Sequence, residues 1–226
     1  MRKVNSPTFG TALILLFLVS FLTIGGCDVE FGGGGNNGGG GGGGGSSNPE
    51  IVQGTIIDII PDEDTEGITV VITNKDNVEF MDTTNSAGFF SISSGTGTFA
   101  GIPRIEFFSG TLSLGFRDLN VFPTAKLELG NITLENGGVT LSDILDVTFE
   151  GDVITNTCVG NSGIIEVEAS REGESTDVIV QISASTDILR DSDEILCEEV
   201  LIGQRVEIRG ILQTGNNVDG DFIDLL

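Results

Sequence analysis

The strongest cation-ligand candidate in the sequence is Asp62-Glu63-Asp64-Thr65-Glu66-Gly67. Carboxylates at Asp62, Asp64 and Glu66 alternate as in the first positions of a calcium loop. Gly67 stands where such a loop turns sharply, so that clustered oxygens can surround a hard cation. The twelfth position, where a bidentate glutamate belongs, is Thr73. The reading therefore favours an acidic β-turn, with calcium-dependent ligand binding or adhesion kept as the alternative function. Asp191, Asp193 and Glu194 form a second acidic loop with less pattern. Acid–base and nucleophilic chemistry is poorly served. Histidine is absent, so no Ser-His or Cys-His pair can be assembled. Beyond residue 26 the only lysines are Lys75 and Lys126. Carboxylate pairs are too common here to single out a glycosidase-like pair, and there is no Trp or Tyr platform for a sugar. The expectation is a protein that is not an enzyme and needs no cofactor, calcium excepted.

The three cysteines divide into one and two. Arg2 and Lys3 precede an apolar run over 12–24, which has the form of a secretory signal and is short for a membrane span of about 20 residues. It ends in Ile24-Gly25-Gly26-Cys27, which resembles a bacterial lipobox. The resemblance implies cleavage before Cys27, a diacylglyceryl group on its sulfur and an acyl chain such as palmitate on its new amino group. Two or more chains hold a protein stably on a membrane, at about 0.8 kcal/mol per buried CH₂. An ordinary signal peptide with a chance cysteine is the alternative. Asp28 resembles the inner-membrane retention residue of enteric lipoproteins, a rule not general across bacteria, so the membrane stays open. With Cys27 taken by lipid, Cys158 and Cys197 remain as an even pair in an oxidising compartment and are expected to form a disulfide; two buried free thiols are the alternative. Zinc is disfavoured without histidine.

Gly32 to Gly35, Asn36-Asn37 and Gly38 to Gly45, with Ser46 and Ser47, have no side chains to build a core. As a random coil this spacer spans roughly 20–25 Å. A phosphate-cradling loop would need a flanking strand and helix, and neither is legible.

Charge narrows the partners. The chain of 226 residues carries a formal charge of −24, and removal of Arg2 and Lys3 with the signal makes it two units more negative. Such a surface repels nucleic acid and anionic lipid headgroups. Recurrent Val, Ile, Leu and Phe through 51–226 argue against disorder.

Those residues fall in short alternating runs separated by turn signals, the pattern of an all-β protein. Strands are expected at 51–60, with Ile57 and Ile59 on one face and Ile56 and Ile60 on the other, around Ile68, Val70 and Ile72, and at 78–83. A tight hairpin over Thr84 to Phe90 then relies on Gly88 for a positive φ and points Phe90 and Ile92 inward. Strands at 111–121 and 125–134 follow. Gly54-Thr55, Gly67-Ile68-Thr69-Val70 and Thr84-x-x-x-Gly88-x-Phe90 together resemble the carboxypeptidase regulatory-like, or prealbumin-like, domain over about 50–108. That family implies a seven-stranded sandwich, usually without catalytic activity, and usually has an aspartate where Thr84 stands here.

Beyond Gly137-Gly138, strands are expected at 144–155, 164–169, 177–183, 204–214 and 218–225. Gly151 would let the long first one bend across both sheets, as in a partly open OB-like barrel. The run Val200 to Gly210, with Asp219-Gly220-Asp221-Phe222-Ile223, resembles an OB-like domain of unknown function in bacterial lipoproteins, over about 147–224. The expected organisation is a signal over 1–26, lipidated Cys27 with a flexible linker over 27–49, a β-sandwich over 50–140 and an OB-like barrel over 141–226. The expected role is a non-catalytic lipoprotein of the bacterial envelope. It would be held to a membrane through Cys27, with its folded part in the periplasm or at the cell surface, displaying two β domains to an envelope protein or polysaccharide.

Overall fold

The computed structural model describes residues 48–60, 64–135, 137–141 and 145–226. The fold is all-β, as the period-two patterning implies: fifteen strands are described, with only a single 3-10 turn at Cys197–Glu199 besides.

The first half forms two packed layers. One is a four-stranded antiparallel sheet, β3 (Glu79–Thr83), β2 (Thr69–Thr73), β5 (Arg104–Ser109) and β6 (Leu112–Asp118). The other holds β4 (Phe89–Ser93), β1 (Ile51–Ile60), β7 (Lys126–Glu135) and β8 (Gly138–Leu141), with β1 and β7 parallel. Alternate residues Val70, Ile72, Ile105 and Phe107 of the first layer are buried against Val52, Phe90, Ile92 and Leu127 of the second. Phe90 meets Phe107 edge-on, with ring centroids 6.0 Å apart.

Two expectations are corrected here. Ile56 and Ile59 share the core while Ile57 and Ile60 face solvent, because a register shift between Ile56 and Asp58 against β7 breaks the alternation. The turn over 84–90 is not a hairpin within one sheet: β3 and β4 belong to different layers. Gly88 does take positive φ, at 72°. A Cβ there would lie 2.1 Å from the Ile56 carbonyl oxygen, so only glycine fits. Thr84 is buried and turns its hydroxyl inward, accepting the Ile68 N–H at 2.9 Å and donating to the Thr65 carbonyl at 2.7 Å. The chain is thereby drawn across the layers.

The second half is a closed five-stranded barrel. Around it run β9 (Asp146–Asn156), β10 (Gly163–Arg171), β11 (Glu174–Ile182), β15 (Asn217–Leu225) and β14 (Arg205–Leu212), and β14 pairs with β9 again. All contacts are antiparallel except β11 with β15. Two short strands, β12 (Asp187–Arg190) and β13 (Asp193–Glu194), extend from β15. Gly151 allows the closure. A Cβ there would stand 2.5 Å from Val167 Cγ1 and 2.7 Å from the Glu168 carbonyl oxygen, so β9 can press against β10 only without a side chain at this point. Val153, Val167, Val178, Val180, Val206 and Ile208 fill the interior.

Hydrogen bonding continues from one half into the other. Before it enters the barrel, β9 pairs with β7 through Lys126–Thr148, Leu127–Val147 and Glu128–Asp146. Phe122 meets Phe149 edge-on at 5.4 Å. The buried apolar residues of both halves form one contiguous core.

Candidate functional site

The polar groups that the fold buries collect where the layers meet the barrel. Glu50, just ahead of β1, has no exposed surface. Its carboxylate accepts from the Thr98 hydroxyl and the Phe99 N–H. Burial pushes this carboxyl above the ordinary range, opposed by those hydrogen bonds, by Thr124 and by the charge of Arg171. Arg171 comes from the far side of the junction, at the end of β10. Glu172 and Gly173 after it both have positive φ, 50° and 82°, as a two-residue hairpin turn matched to the strand twist requires. That turn carries Arg171 into the junction, where it donates to the carbonyls of Asn48 and of Gly95, the latter at 2.8 Å.

A second set lies beside it. The Asn48 amide donates to Glu150, whose carboxylate also meets Arg205 at 3.2 Å; Arg205 lies 3.6 Å from Asp152. Thr124 is a buried β-branched residue at φ 67°, a conformation with a steric cost. Its hydroxyl donates to the Glu150 carbonyl at 2.9 Å and accepts the Glu150 N–H at 3.1 Å, which holds it there. A shallow cleft of about 190 Å³ opens on this junction, lined by Ile51, Thr124, Lys126, Thr148, Glu150 and Glu207 among others. Its Lys126 faces Glu128 at 2.6 Å. The arrangement fastens two bodies together, and its charged groups answer one another.

This use of cations extends over the whole described surface. Lys75 pairs with Glu174, and Arg104 pairs with Asp118 at 3.2 Å while lying over the Phe116 ring. Arg209 pairs with Glu207 at 2.8 Å and lies over Phe222. Arg190 donates to the Glu199 carbonyl and Arg117 to that of Val139. With Lys126, Arg171 and Arg205, every lysine and arginine after residue 26 is engaged within the fold. What faces outward is an excess of carboxylate.

The residues singled out from sequence fall in three places. Cys158 and Cys197 lie at disulfide distance, with Cα atoms 5.7 Å apart. Cys158 follows β9 and Cys197 begins the 3-10 turn. Cys27 and Asp62 lie outside the described residues. Asp64 and Glu66 are exposed, and Asp64 accepts the Glu66 N–H at 3.0 Å, the local bond of an Asx-turn. Asp191, Asp193 and Glu194 surround the β12–β13 hairpin, whose two turn residues Asp191 and Ser192 have φ of 52° and 73°. Among the described residues no cluster of three or more His, Cys, Asp or Glu is placed to hold a metal.

The buried network of Glu50, Thr124, Glu150 and Arg171 is not marked in the sequence. Glu50 and Arg171 stand at the ends of strands, where charge reads as solvent-facing. The nearest signal is Glu172-Gly173, a recognisable hairpin turn that fixes where the Arg171 strand ends. Comparison with protein-family models, with curated proteins and with solved structures finds no match.

Proposed function

We propose that the protein is a non-catalytic lipoprotein of the bacterial envelope. It is anchored through lipid on Cys27 and displays its β domains as an interaction or structural module. In this reading the layered half is a prealbumin-like sandwich, with β4, β1 and β7 in one sheet and β3, β2, β5 and β6 in the other. The second half is an OB-like barrel, consistent with its strand order first-second-third-fifth-fourth and its single parallel contact.

The observation that carries the proposal is the junction. Two β bodies are fastened by a buried arginine, a buried carboxylate and a continuous sheet, directly behind a glycine-rich stretch. A rigid body behind a spacer suits presentation of a surface, since ordering costs at binding fall when the surface is already fixed. The engaged cations leave an acidic exterior that favours soluble display and disfavours nucleic acid.

The test is metabolic labelling with a palmitate analogue in a bacterial host. The full chain should take up label and sediment with membranes, and Cys27→Ala should lose both. Equal labelling of the Cys27→Ala chain would overturn the anchoring.

A further inference from the structure

The barrel carries large aliphatic side chains in solvent at one end, and they belong to segments tied together there. Val159 is 81% exposed, Ile202 69% and Leu201 60%, with Leu196 and Ile164 also exposed. The Cys158–Cys197 pair joins the first loop to the 3-10 turn. The Gly160 N–H donates to the Glu198 carboxylate at 2.8 Å, and Glu198 N–H to the Gly160 carbonyl at 3.2 Å. Asn156 reaches across from β9 with its side-chain amide to the carbonyls of Cys197 and Val200, at 2.9 and 2.7 Å. The Gly203 N–H donates to Val153, which seats the Leu201-Ile202 turn against the same strand, and Thr157 N–H donates to Ile164. Aliphatic groups held in solvent by this many ties are not a loose loop. Exposed apolar clusters of this kind mark interaction surfaces.

We infer that this crown, Val159, Ile164, Leu196, Leu201 and Ile202, is a docking surface for a cationic amphipathic segment of a partner protein. Charge gives the partner its chemistry. Asp191, Asp193, Glu194, Glu198 and Glu199 are exposed in the segments that carry the crown, and the nearby Arg190 and Arg205 are already engaged, Arg190 by the Glu199 carbonyl and Arg205 by Glu150 and Asp152. An apolar stripe flanked by lysine or arginine matches both features, and opposite charge steers the encounter. A second copy would bring the same acidic rim against itself, and an anionic membrane would meet like charge.

Position argues the same way. The described chain begins at Asn48, which Arg171 holds at one end of β10, whereas Val159 and Ile164 of the crown lie at the other end, beside Gly163. Nine residues of strand separate them by roughly 30 Å. Residues 28–47 offer only Val29 and Phe31 as large apolar side chains, too few to cover the crown. This inference deepens the display reading and rests on it only for the setting in which the crown meets a partner.

The experiment uses the full chain and two labelled probes: a synthetic amphipathic helix of leucine and lysine, and its counterpart with glutamate for lysine. Binding is followed by fluorescence anisotropy. The lysine peptide should bind, and salt should weaken it. The double change Leu201→Asp with Ile202→Asp should weaken it by about tenfold or more, as should Val159→Asp alone. Met81→Asp, on exposed β3, should leave it unchanged. Far-UV circular dichroism and an intact Cys158–Cys197 bridge establish that each variant is folded. Unchanged affinity in both crown variants would overturn the inference, as would equal binding of the glutamate peptide. So would crown-dependent binding to phosphatidylcholine vesicles, or crown-dependent self-association in sedimentation. Cys27→Ala assayed in parallel keeps the readings apart: retained palmitate label refutes anchoring alone, whereas peptide affinity reports on the crown alone.

Discussion

The Arg171 guanidinium, at the end of β10 in the barrel, donates to the Gly95 carbonyl of the layered half at 2.8 Å across the junction. It is buried, it also serves Asn48, and it offsets the charge of Glu50. Removing one partner of a buried charged set leaves the others uncompensated, at a cost of about 3–5 kcal/mol.

Arg171→Ala should therefore lower unfolding stability by about 3 kcal/mol or more, read as a fall in the urea midpoint. Arg171→Lys should recover only part, because one ammonium cannot span both carbonyls in the planar fork. In the unaltered protein the continuous core and sheet should give a single transition by circular dichroism. A barrel that melts at the same midpoint with and without Arg171 would show that the junction does not couple the halves.

Glu50 makes a pH prediction whose sign follows from burial. Its carboxyl is raised from the ordinary 4.5, so the native state binds the proton more tightly than the unfolded chain does. The stability this contributes is complete below the unfolded value and is lost as pH rises through the folded value. Relative to Glu50→Gln, the unaltered protein should thus become progressively less stable from about pH 4.5 upward, until the folded group has ionised. Parallel urea titrations isolate the effect from the many surface carboxylates. A stability difference independent of pH would mean that Thr98, Phe99 and Arg171 fully offset desolvation.

The Cys158–Cys197 pair closes a loop across 39 residues. On the chain-entropy model such a bridge contributes about 4 kcal/mol. Reduction, or paired change of both residues to Ser, should lower the melting temperature accordingly. Mass spectrometry after alkylation without reduction should find neither of these thiols modified.

The acidic stretch over 62–67 should behave as a turn. Changing Asp62, Asp64 and Glu66 together to Asn, Asn and Gln should leave the melting temperature unchanged, with calcium or with chelator. A calcium-dependent rise in the unaltered chain that the triple change abolishes would establish the calcium-dependent alternative.

Much of the fold could be read from periodicity. The first strand coincides with 51–60, and the barrel strands lie close to the expected runs, because buried residues alternate along most of each strand. Gly151 was legible because a glycine inside a strand implies a close approach, and Val167 makes it. The bulge at Ile56 was not, since four isoleucines in five positions look the same in either register. Strand β5 also escaped: Arg104 and Glu106 alternate with Ile105 and Phe107, but Phe108 and Ser109 blur the pattern. The junction could not be read at all. Arg171 and Glu50 are 121 positions apart in the sequence, and only the closed barrel brings them together.

The latch at Asn48 also has a mechanical consequence. Its carbonyl is held by Arg171 and its amide by Glu150, immediately before β1, which lies between β4 and β7. Tension arriving from the residues ahead of Asn48 meets that latch first. It then runs along β1, loading the hydrogen bonds to both neighbouring strands together instead of peeling them one at a time. Resistance to such a pull is set by the rate of forced opening, not by equilibrium stability. The two side chains that grip Asn48 thus place the barrel, not the layered half alone, in the path of the load.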